Sequence, residues 1–190
     1  MTHPPPLLHW EDFPAGHVLE FGDTTVSRDA VLAFARDFDP QPFHLDDDAA
    51  EASLFGGLSA SGWHTCAMTM RMMCDAYLLR AASLGSPGID ALRWLKPVRP
   101  GDTLRVRMEV VQARPMNSRP QVGLVQSRWT VLNQHGEPVM TMEGWGMFRR
   151  REAASASDTR PATPPDAPSI QTTAAAPAAP AAPAAPAAPA

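Results

Sequence analysis

Positive charge is scarce in this chain of 190 residues, because 20 Asp and Glu residues outnumber 16 Lys and Arg residues. The formal net charge is −4, and the longest basic run is only Arg149-Arg150-Arg151. A protein that binds nucleic acid through phosphate contacts needs a basic patch or stripe. The composition therefore argues against a nucleic-acid-binding function, and we interpret the arginine run as a solvated strand end.

Long apolar runs are also missing. No stretch approaches the roughly 18 apolar residues that a membrane span requires, and the first residues, Met-Thr-His-Pro-Pro-Pro, do not form a signal-peptide pattern. Cysteine is scarce, and Cys66 and Cys74 are too far apart for a CxxC redox or zinc pair. We therefore expect no membrane association, a reducing cytoplasmic location and two buried free thiols.

Aromatic residues are missing from residues 151–190, which consist largely of Ala, Pro, Ser and Thr and end in a repeated Ala-Ala-Pro pattern. Such a segment cannot bury enough apolar surface to offset its conformational entropy. We therefore expect residues 151–190 to form a disordered tail or spacer. Residues 1–150 have the size of one ordinary domain.

The most informative motif is the run Asp39-Pro40-Gln41-Pro42-Phe43-His44, which holds a carboxylate and an imidazole five positions apart. Each proline fixes its own φ and pushes the preceding residue toward extended conformations. The run therefore cannot continue a helix and forms a loop of restricted shape. Two proton-handling groups held in this way suit general acid–base chemistry on a bound water. The structural alternative makes Asp39 a helix-stop residue and His44 a cap of the next helix.

Helices dominate the predicted first half of the chain. A strand is expected near His17–Phe21, and Ser27 is a candidate N-cap for the helix that follows. The apolar residues of that helix recur at helical spacing from Val31 to Phe38, and Pro40 ends it. The acidic residues 46–48 are typical of the first turn of a second, short helix.

A long central helix is predicted to begin at Gly62, after a loop of small residues at 55–61 that contains several candidate N-caps. It extends to about Leu79 with few charges and with apolar residues on nearly every side, which indicates a largely buried helix. Its methionines favour flexible core packing over a cofactor site. We expect His64, in the first turn, to be a packed and hydrogen-bonded histidine.

Alternating apolar and polar residues predict an antiparallel sheet in the second half of the chain. The predicted strands are 89–95, 103–110, 121–132 and 138–149. The Pro-, Asn- and Ser-rich segment Ala113–Pro120 is predicted to be a loop, and 133–136 a hairpin turn. Helices followed by an antiparallel meander around one buried helix define an α+β domain.

Four stretches of the chain resemble the MaoC-like dehydratase family of the hotdog superfamily. They are Phe34-Ala35-x3-Asp39-Pro40-Gln41-Pro42-Phe43-His44-x-Asp46, Ala60-Ser61-Gly62-Trp63-His64-Thr65, Leu95-Lys96-Pro97-Val98-x2-Gly101-Asp102 and Val131-Leu132-Asn133-Gln134-x-Gly136. The first is the specific one, because it matches the family's hydratase motif in residue type and spacing. The family motif usually has Gly before the Asp and Asn two positions after it, whereas this chain has Phe38 and Gln41.

The resemblance covers about Trp10 to Arg149 and implies the hotdog fold, in which an antiparallel β-sheet wraps around a long central helix. It implies that the protein hydrates an enoyl-CoA thioester to a 3-hydroxyacyl-CoA, or runs the reverse dehydration. Asp39 and His44 would activate the water, and the backbone amide of Gly62 would stabilise the thioester oxygen.

The resemblance also sets expectations for the binding residues and the assembly. The expected substrate contacts are Gln41, Phe43, Ser61 and Trp63. An acyl-CoA is the expected partner, no metal or redox cofactor is required, and a homodimer or a higher homo-oligomer is implied. Four basic residues are candidates for CoA phosphate contacts, with a solvated surface as the default for each; they are Lys96, Arg99, Arg114 and Arg119.

Two other functions remain open at this point, a hotdog acyl-CoA thioesterase and a non-catalytic acyl-thioester-binding protein. Hotdog thioesterases often carry a carboxylate on the central helix or near its start. Here the first acid on that helix is Asp75, more than three turns beyond Gly62, which argues against a thioesterase. Ser59 and Ser61 are expected to be helix caps rather than nucleophiles. Bulky residues are expected in the core, with walls of an acyl pocket as the alternative; they are Trp63, Met68, Trp94 and Trp145.

Overall fold

Five antiparallel strands form one sheet in the computed structural model, which describes residues 7–151. The strands are β1 Val18–Thr25, β2 Ser83–Trp94, β3 Thr103–Met116, β4 Arg119–Leu132 and β5 Pro138–Arg149, in the spatial order β1-β3-β4-β5-β2. The helices are α1 Arg28–Phe38, α2 Asp47–Glu51 and α3 Gly62–Ala76, with 3-10 turns at Trp10–Asp12, Pro42–His44 and Leu78–Arg80. Apart from Arg151, the tail predicted at 151–190 lies outside the described residues.

The hydrophobic core lies between the sheet and α3. Every second residue of β3 from Leu104 to Val110 is at most 1% exposed, as the alternation predicted. These residues belong to the same buried cluster as Met72 and Met73 of α3. Each such side chain contributes roughly 1.5–3 kcal/mol when it is fully buried. The sheet therefore wraps around the long helix, and the predicted α+β hotdog fold is confirmed.

The long helix α3 is buried along one face, whereas its sequence predicted burial on nearly every side. Met72 and Met73 are buried, but Trp63 and Met70 are 60% and 48% exposed. The helix ends at Ala76 rather than near Leu79, and a 3-10 turn follows it. None of the helices within residues 7–151 is long and apolar enough to cross a membrane.

The segment Ala113–Pro120 forms the tip of a β-hairpin, so the predicted loop is wrong. Met116 at the end of β3 pairs with Arg119 at the start of β4 across a two-residue turn. Pro115 fits in β3 because β1 pairs with β3 only between Thr103 and Glu109. At Pro115 the outer side of β3 therefore needs no backbone N–H for a neighbouring strand.

The edge strand β2 is longer than the predicted strand Ile89–Leu95. It begins at Ser83 and pairs with β5 through three irregularities of register. A strand at the edge of a sheet tolerates the Pro87 and the two positive-φ glycines that hid its first half in the sequence. Three large apolar side chains of β2 are exposed, namely those of Leu84, Ile89 and Trp94.

Candidate active site

Three segments meet at the start of α3 and enclose a cavity of about 450 Å³. The end of α1 contributes Asp39, the 3-10 turn Pro42–His44 contributes His44, and α3 begins at Gly62. Other walls come from Phe55, Trp94, Leu95, Val98 and Val139. The structure thus brings together the three residues to which the motif and the resemblance assign catalysis.

Asp39 is placed by the way α1 ends. Its N–H still donates to the Ala35 carbonyl at 2.9 Å, but its backbone leaves the helical conformation, with φ −152 and ψ 66. The following Pro40 has no N–H and disfavours a helical residue before it. The carboxylate therefore projects from the helix end toward the cavity instead of continuing along the helix surface.

Both carboxylate oxygens of Asp39 accept a hydrogen bond. Ser61 Oγ donates to Oδ2 at 2.6 Å, and Gln41 Nε2 donates to Oδ1 at 2.7 Å. The hydrogen bond from Ser61 holds the pKa of Asp39 below its ordinary value against the opposing effect of burial, and Gln41 and His44 add to the lowering. Asp39 is therefore an oriented carboxylate at neutral pH.

His44 is almost completely buried, with 5% of its surface exposed. Its Nδ1 lies 2.8 Å from the Ser59 carbonyl oxygen, and its Nε2 lies 3.5 Å from Asp39 Oδ2. Because a carbonyl only accepts, the Nδ1 atom carries the proton in this arrangement. In the neutral ring Nε2 is then an acceptor, and it is the nitrogen beside the carboxylate.

Gly62 is the first residue of α3, so its amide N–H has no intrahelical acceptor and lies at the positive end of the helix dipole. The indole of Trp94 lies against its α-carbon, and Trp94 Nε1 donates to the Gly62 carbonyl at 2.9 Å. A Cβ at residue 62 would lie 2.4 Å from Trp94 Cε2. Only glycine fits here without displacing the indole.

The four predicted substrate contacts differ in where they lie. Gln41, Ser61 and Trp63 line the cavity. The hydroxyl of Ser61 accepts from the Trp63 N–H as well as bonding Asp39, so the expected N-cap role of Ser61 is confirmed. Phe43 is not among the lining residues, and it packs behind the site against the rings of His44 and Phe55.

Three aromatic side chains form walls of the cavity, namely Phe55, Trp63 and Trp94, and of these only Trp63 was also an expected substrate contact. Trp63 and Trp94 meet edge to face with ring centroids 5.4 Å apart, and both are substantially exposed. The expectation that they belong to the ordinary core is therefore wrong. Phe55 also lines the cavity. The sequence feature that could have identified it is its position as a single aromatic residue at the start of a loop of small residues.

Four other candidate residues, His64, Cys66, Cys74 and Asp75, do not line this cavity. His64 stacks on Phe34 with ring centroids 4.7 Å apart, as expected for a packed histidine. Its buried Nδ1 has no hydrogen-bond partner within residues 7–151, so the expected hydrogen bond is wrong for this atom. Cys66 and Cys74 are free but only half-buried. Asp75 pairs with Arg71 one turn earlier on the exposed side of α3.

The fold and the cavity define a hotdog protein in which a helix N-terminus faces a carboxylate and an imidazole. Comparison with known families gives the same result, since residues 12–132 match the MaoC like domain. The match spans more than half of the 190 residues. The chain belongs to the MaoC-like domain family.

Individual relatives differ in how much of the chain they match. The crystal structure of the MaoC-like dehydratase from Rhodospirillum rubrum is 43% identical, with a TM-score of 0.71 over 76% of this chain and 99% of that one. Mesaconyl-CoA hydratase from Cereibacter sphaeroides is 46% identical over 63 residues, which are 33% of this chain and 18% of that enzyme. The R-hydratase PhaJ1 from Pseudomonas aeruginosa is 21% identical and shares the fold, with a TM-score of 0.60 over 83% of this chain and 96% of that one.

Proposed function

We propose that the protein is a hydratase or dehydratase that adds water to an enoyl-CoA thioester, or removes water from a 3-hydroxyacyl-CoA. The observation that carries the proposal is the meeting of Asp39, His44 and the Gly62 amide around one cavity. Hydration places a hydroxyl group on C3 and a proton on C2. It therefore needs proton-handling groups for the water and for C2, and stabilisation of the charge that develops on the thioester oxygen.

Asp39 and His44 are suited to hold and activate the water. A water that donates to Asp39 and to Nε2 of His44 has a lone pair left for C3 of the enoyl group. The carboxylate and the imidazole are both fixed by other partners, at Ser61, Gln41 and the Ser59 carbonyl. The proton that the water releases passes to this pair, which then returns a proton to C2.

The start of α3 is suited to bind the thioester carbonyl. The N–H of Gly62 and the helix dipole favour a negative oxygen at this position. Removing one donor from a comparable oxyanion site costs about 3 kcal/mol in the activation barrier. We propose that Ser61, Gln41, Trp63 and Phe43 contact or support the substrate around this carbonyl.

Relatives support the acyl-CoA class of substrate. The name of the Rhodospirillum rubrum protein gives a dehydratase, and that of the Cereibacter sphaeroides enzyme gives a hydratase of a CoA thioester. A thioesterase is the second candidate, but the only acid on α3 that the sequence offers is Asp75, which is paired with Arg71 away from the cavity. The second candidate therefore lacks a carboxylate on α3 itself near Gly62.

Enoyl-CoA hydration by the purified full-length chain tests the proposal. Crotonyl-CoA and a panel of branched, aromatic and dicarboxylic enoyl-CoAs are supplied, while loss of the enoyl absorbance and release of free thiol are followed separately. We expect hydration without thiol release. Asp39→Asn and His44→Ala are expected to lose most of this activity, by about 100-fold or more, as is typical when a general acid–base group is removed.

Exposed residues of the same types provide matched controls. Asp37→Asn changes an exposed acid of α1 two positions before Asp39, and His135→Ala changes an exposed hairpin histidine. Both are expected to keep full activity. Thiol release in place of hydration would establish the thioesterase, and binding of acyl-CoA without any turnover would establish a non-catalytic binding protein. Hydration that survives both Asp39→Asn and His44→Ala would show that other residues act.

We further propose that the active form is a cytoplasmic homodimer or a higher homo-oligomer joined along β2. The outer side of β2 has no partner strand among residues 7–151, yet it exposes Leu84 and Ile89. The exposed Trp63 and Met70 of α3 add to the apolar surface that the single copy leaves uncovered. An apolar, unpaired edge of this kind is a template for pairing with a second chain.

A further inference from the structure

Arg99 joins two segments that are far apart in the sequence. It lies between β2 and β3, where its backbone N–H donates to Asp102 Oδ2 at 2.7 Å. Its guanidinium reaches across to the loop before α3. There Nη2 donates to the Phe55 carbonyl, and Nη1 lies 3.5 Å from the Leu58 carbonyl. One half-buried side chain therefore holds the main chain of residues 55–58 at two points.

The loop from Phe55 to Ser61 supplies much of the candidate active site. The Phe55 ring lines the cavity and lies 5.8 Å from the His44 ring, measured between centroids. The Ser59 carbonyl accepts the hydrogen bond that fixes His44, and Ser61 bonds Asp39. A displacement of this loop would therefore move three contacts of the catalytic pair at once.

The loop depends on such outside contacts because its own sequence is permissive. Gly56 and Gly57 have φ of +59 and +131, conformations that side chains rarely allow. The guanidinium lies so close to Gly57 that a Cβ there would be 2.8 Å from Arg99 Nη1. Two main-chain hydrogen bonds also hold the loop, from Gly57 N–H to the Ala50 carbonyl at 3.1 Å and from Ala60 N–H to the Val98 carbonyl at 2.7 Å.

We infer that Arg99 is a positioning residue, which fixes the loop 55–61 and through it the orientation of His44 and the Phe55 wall. The inference rests on the proposed function. A planar guanidinium presents several donors in a rigid fork, so it serves two carbonyls in one fixed geometry. Arg99 is thus turned toward the protein main chain, a role that differs from the CoA phosphate contact and the solvated surface residue considered from the sequence.

Loop order and the state of His44 are measured first, because neither needs turnover. Full-length Arg99→Ala is compared with wild type and with Arg105→Ala, which removes an exposed arginine of β3. Hydrogen exchange is expected to accelerate at the Gly57 and Ala60 amides in Arg99→Ala alone. Nitrogen-15 NMR is expected to show His44 shifting from the single Nδ1–H tautomer toward a mixture.

Kinetics then test what the positioning does. Arg99→Ala is expected to lower kcat about 10- to 100-fold with little change in KM, as for a catalytic group displaced by about 1 Å. Added guanidinium ion, well below denaturing concentrations, is expected to restore part of kcat in Arg99→Ala and to leave Arg105→Ala unchanged. Arg99→Lys is expected to recover less, because a single ammonium does not reproduce the fork. It also serves as the test variant if Arg99→Ala does not fold.

Each of these measurements has an outcome that would overturn the inference. Unchanged exchange and unchanged His44 signals in a folded Arg99 variant would show that the loop holds itself. A loosened loop with unaltered kcat would show that its position does not matter for the reaction. If wild type hydrates none of the substrates, the proposed function fails instead, and the exchange and NMR measurements still decide whether Arg99 positions His44.

Discussion

Replacing Ser61 with alanine removes a hydroxyl group that has two partners. Ser61 Oγ donates to Asp39 Oδ2 at 2.6 Å and accepts from the Trp63 N–H at 3.2 Å. Only 1% of Ser61 is exposed, so solvent does not replace the lost hydroxyl freely. Ser61→Ala therefore deprives α3 of its N-cap and deprives an ionised carboxylate of its shortest hydrogen bond.

The two losses have separate magnitudes. Exchanging an N-cap serine for alanine costs about 1 kcal/mol of unfolding free energy, and a hydrogen bond to a charged group contributes about 1.5–3 kcal/mol. We therefore expect Ser61→Ala to destabilise the protein by roughly 2.5–4 kcal/mol at pH 7. Ser27→Ala is the matched control, because Ser27 Oγ caps α1 by accepting from the Ala30 N–H at 3.2 Å. We expect this control to show only the capping cost, about 1 kcal/mol.

Urea unfolding at several pH values separates the carboxylate contribution from the cap. The folded-state pKa of Asp39 is lowered, so its stabilisation is present above the ordinary value of about 3.9 and is lost as the pH falls through the folded pKa. The difference between Ser61→Ala and Ser27→Ala should therefore be largest near neutrality and shrink in acid. Equal destabilisation by both variants at pH 7, or a difference that does not change with pH, would refute the assignment.

Three further predictions concern other parts of the molecule. Gly62→Ala should displace the Trp94 indole and, by misplacing the cavity wall and the start of α3, lower kcat/KM about 100-fold. A change of tryptophan fluorescence should accompany the kinetic change, and unchanged kinetics would show that the site tolerates a side chain at residue 62. Burial raises the pKa of Tyr77, the only tyrosine of the chain. Tyrosinate absorbance should therefore appear at a pH above the ordinary pKa of about 10, and together with unfolding. A reversible titration of the folded protein near pH 10 would contradict this. Ile89→Lys on β2 should shift sedimentation toward the monomer, whereas Val18→Lys on the opposite edge strand β1 should not; the reverse result would place the interface at β1.

The sequence predicted best those elements of the fold that depend on neighbouring residues along the chain. Ser27 caps α1, and Pro40 follows its last turn, so the boundaries of α1 agree with the prediction. The alternation from Leu104 to Val110 likewise identified a strand whose alternate residues share the buried core with α3. These signals depend on residues that are neighbours along the chain, and tertiary contacts do not override them.

The missed parts depend on contacts that sequence spacing does not encode. Pro115 suggested a loop, but the absence of a β1 partner at that point lets β3 continue. The apolar side chains of Trp63 and Met70 suggested a buried helix, but one copy of the chain leaves them exposed. The spacing of apolar residues along a helix indicates which face is to be buried. It does not indicate whether that face is buried by the same chain or by a second copy.

The two departures from the family's motif have different consequences for the substrate. Gln41 still places an amide on Asp39, at 2.7 Å from Oδ1, so its longer side chain keeps a hydrogen bond to the carboxylate while lining the cavity. Phe38 is 72% exposed and packs on Phe34 instead of lining the cavity. Because the Phe38 side chain does not line the cavity, it does not contact a bound acyl group directly. Selectivity among acyl groups is therefore expected to depend on the aromatic walls near Gly62, and exchanging Phe38 for glycine should leave the order of preferred substrates unchanged in the hydration assay.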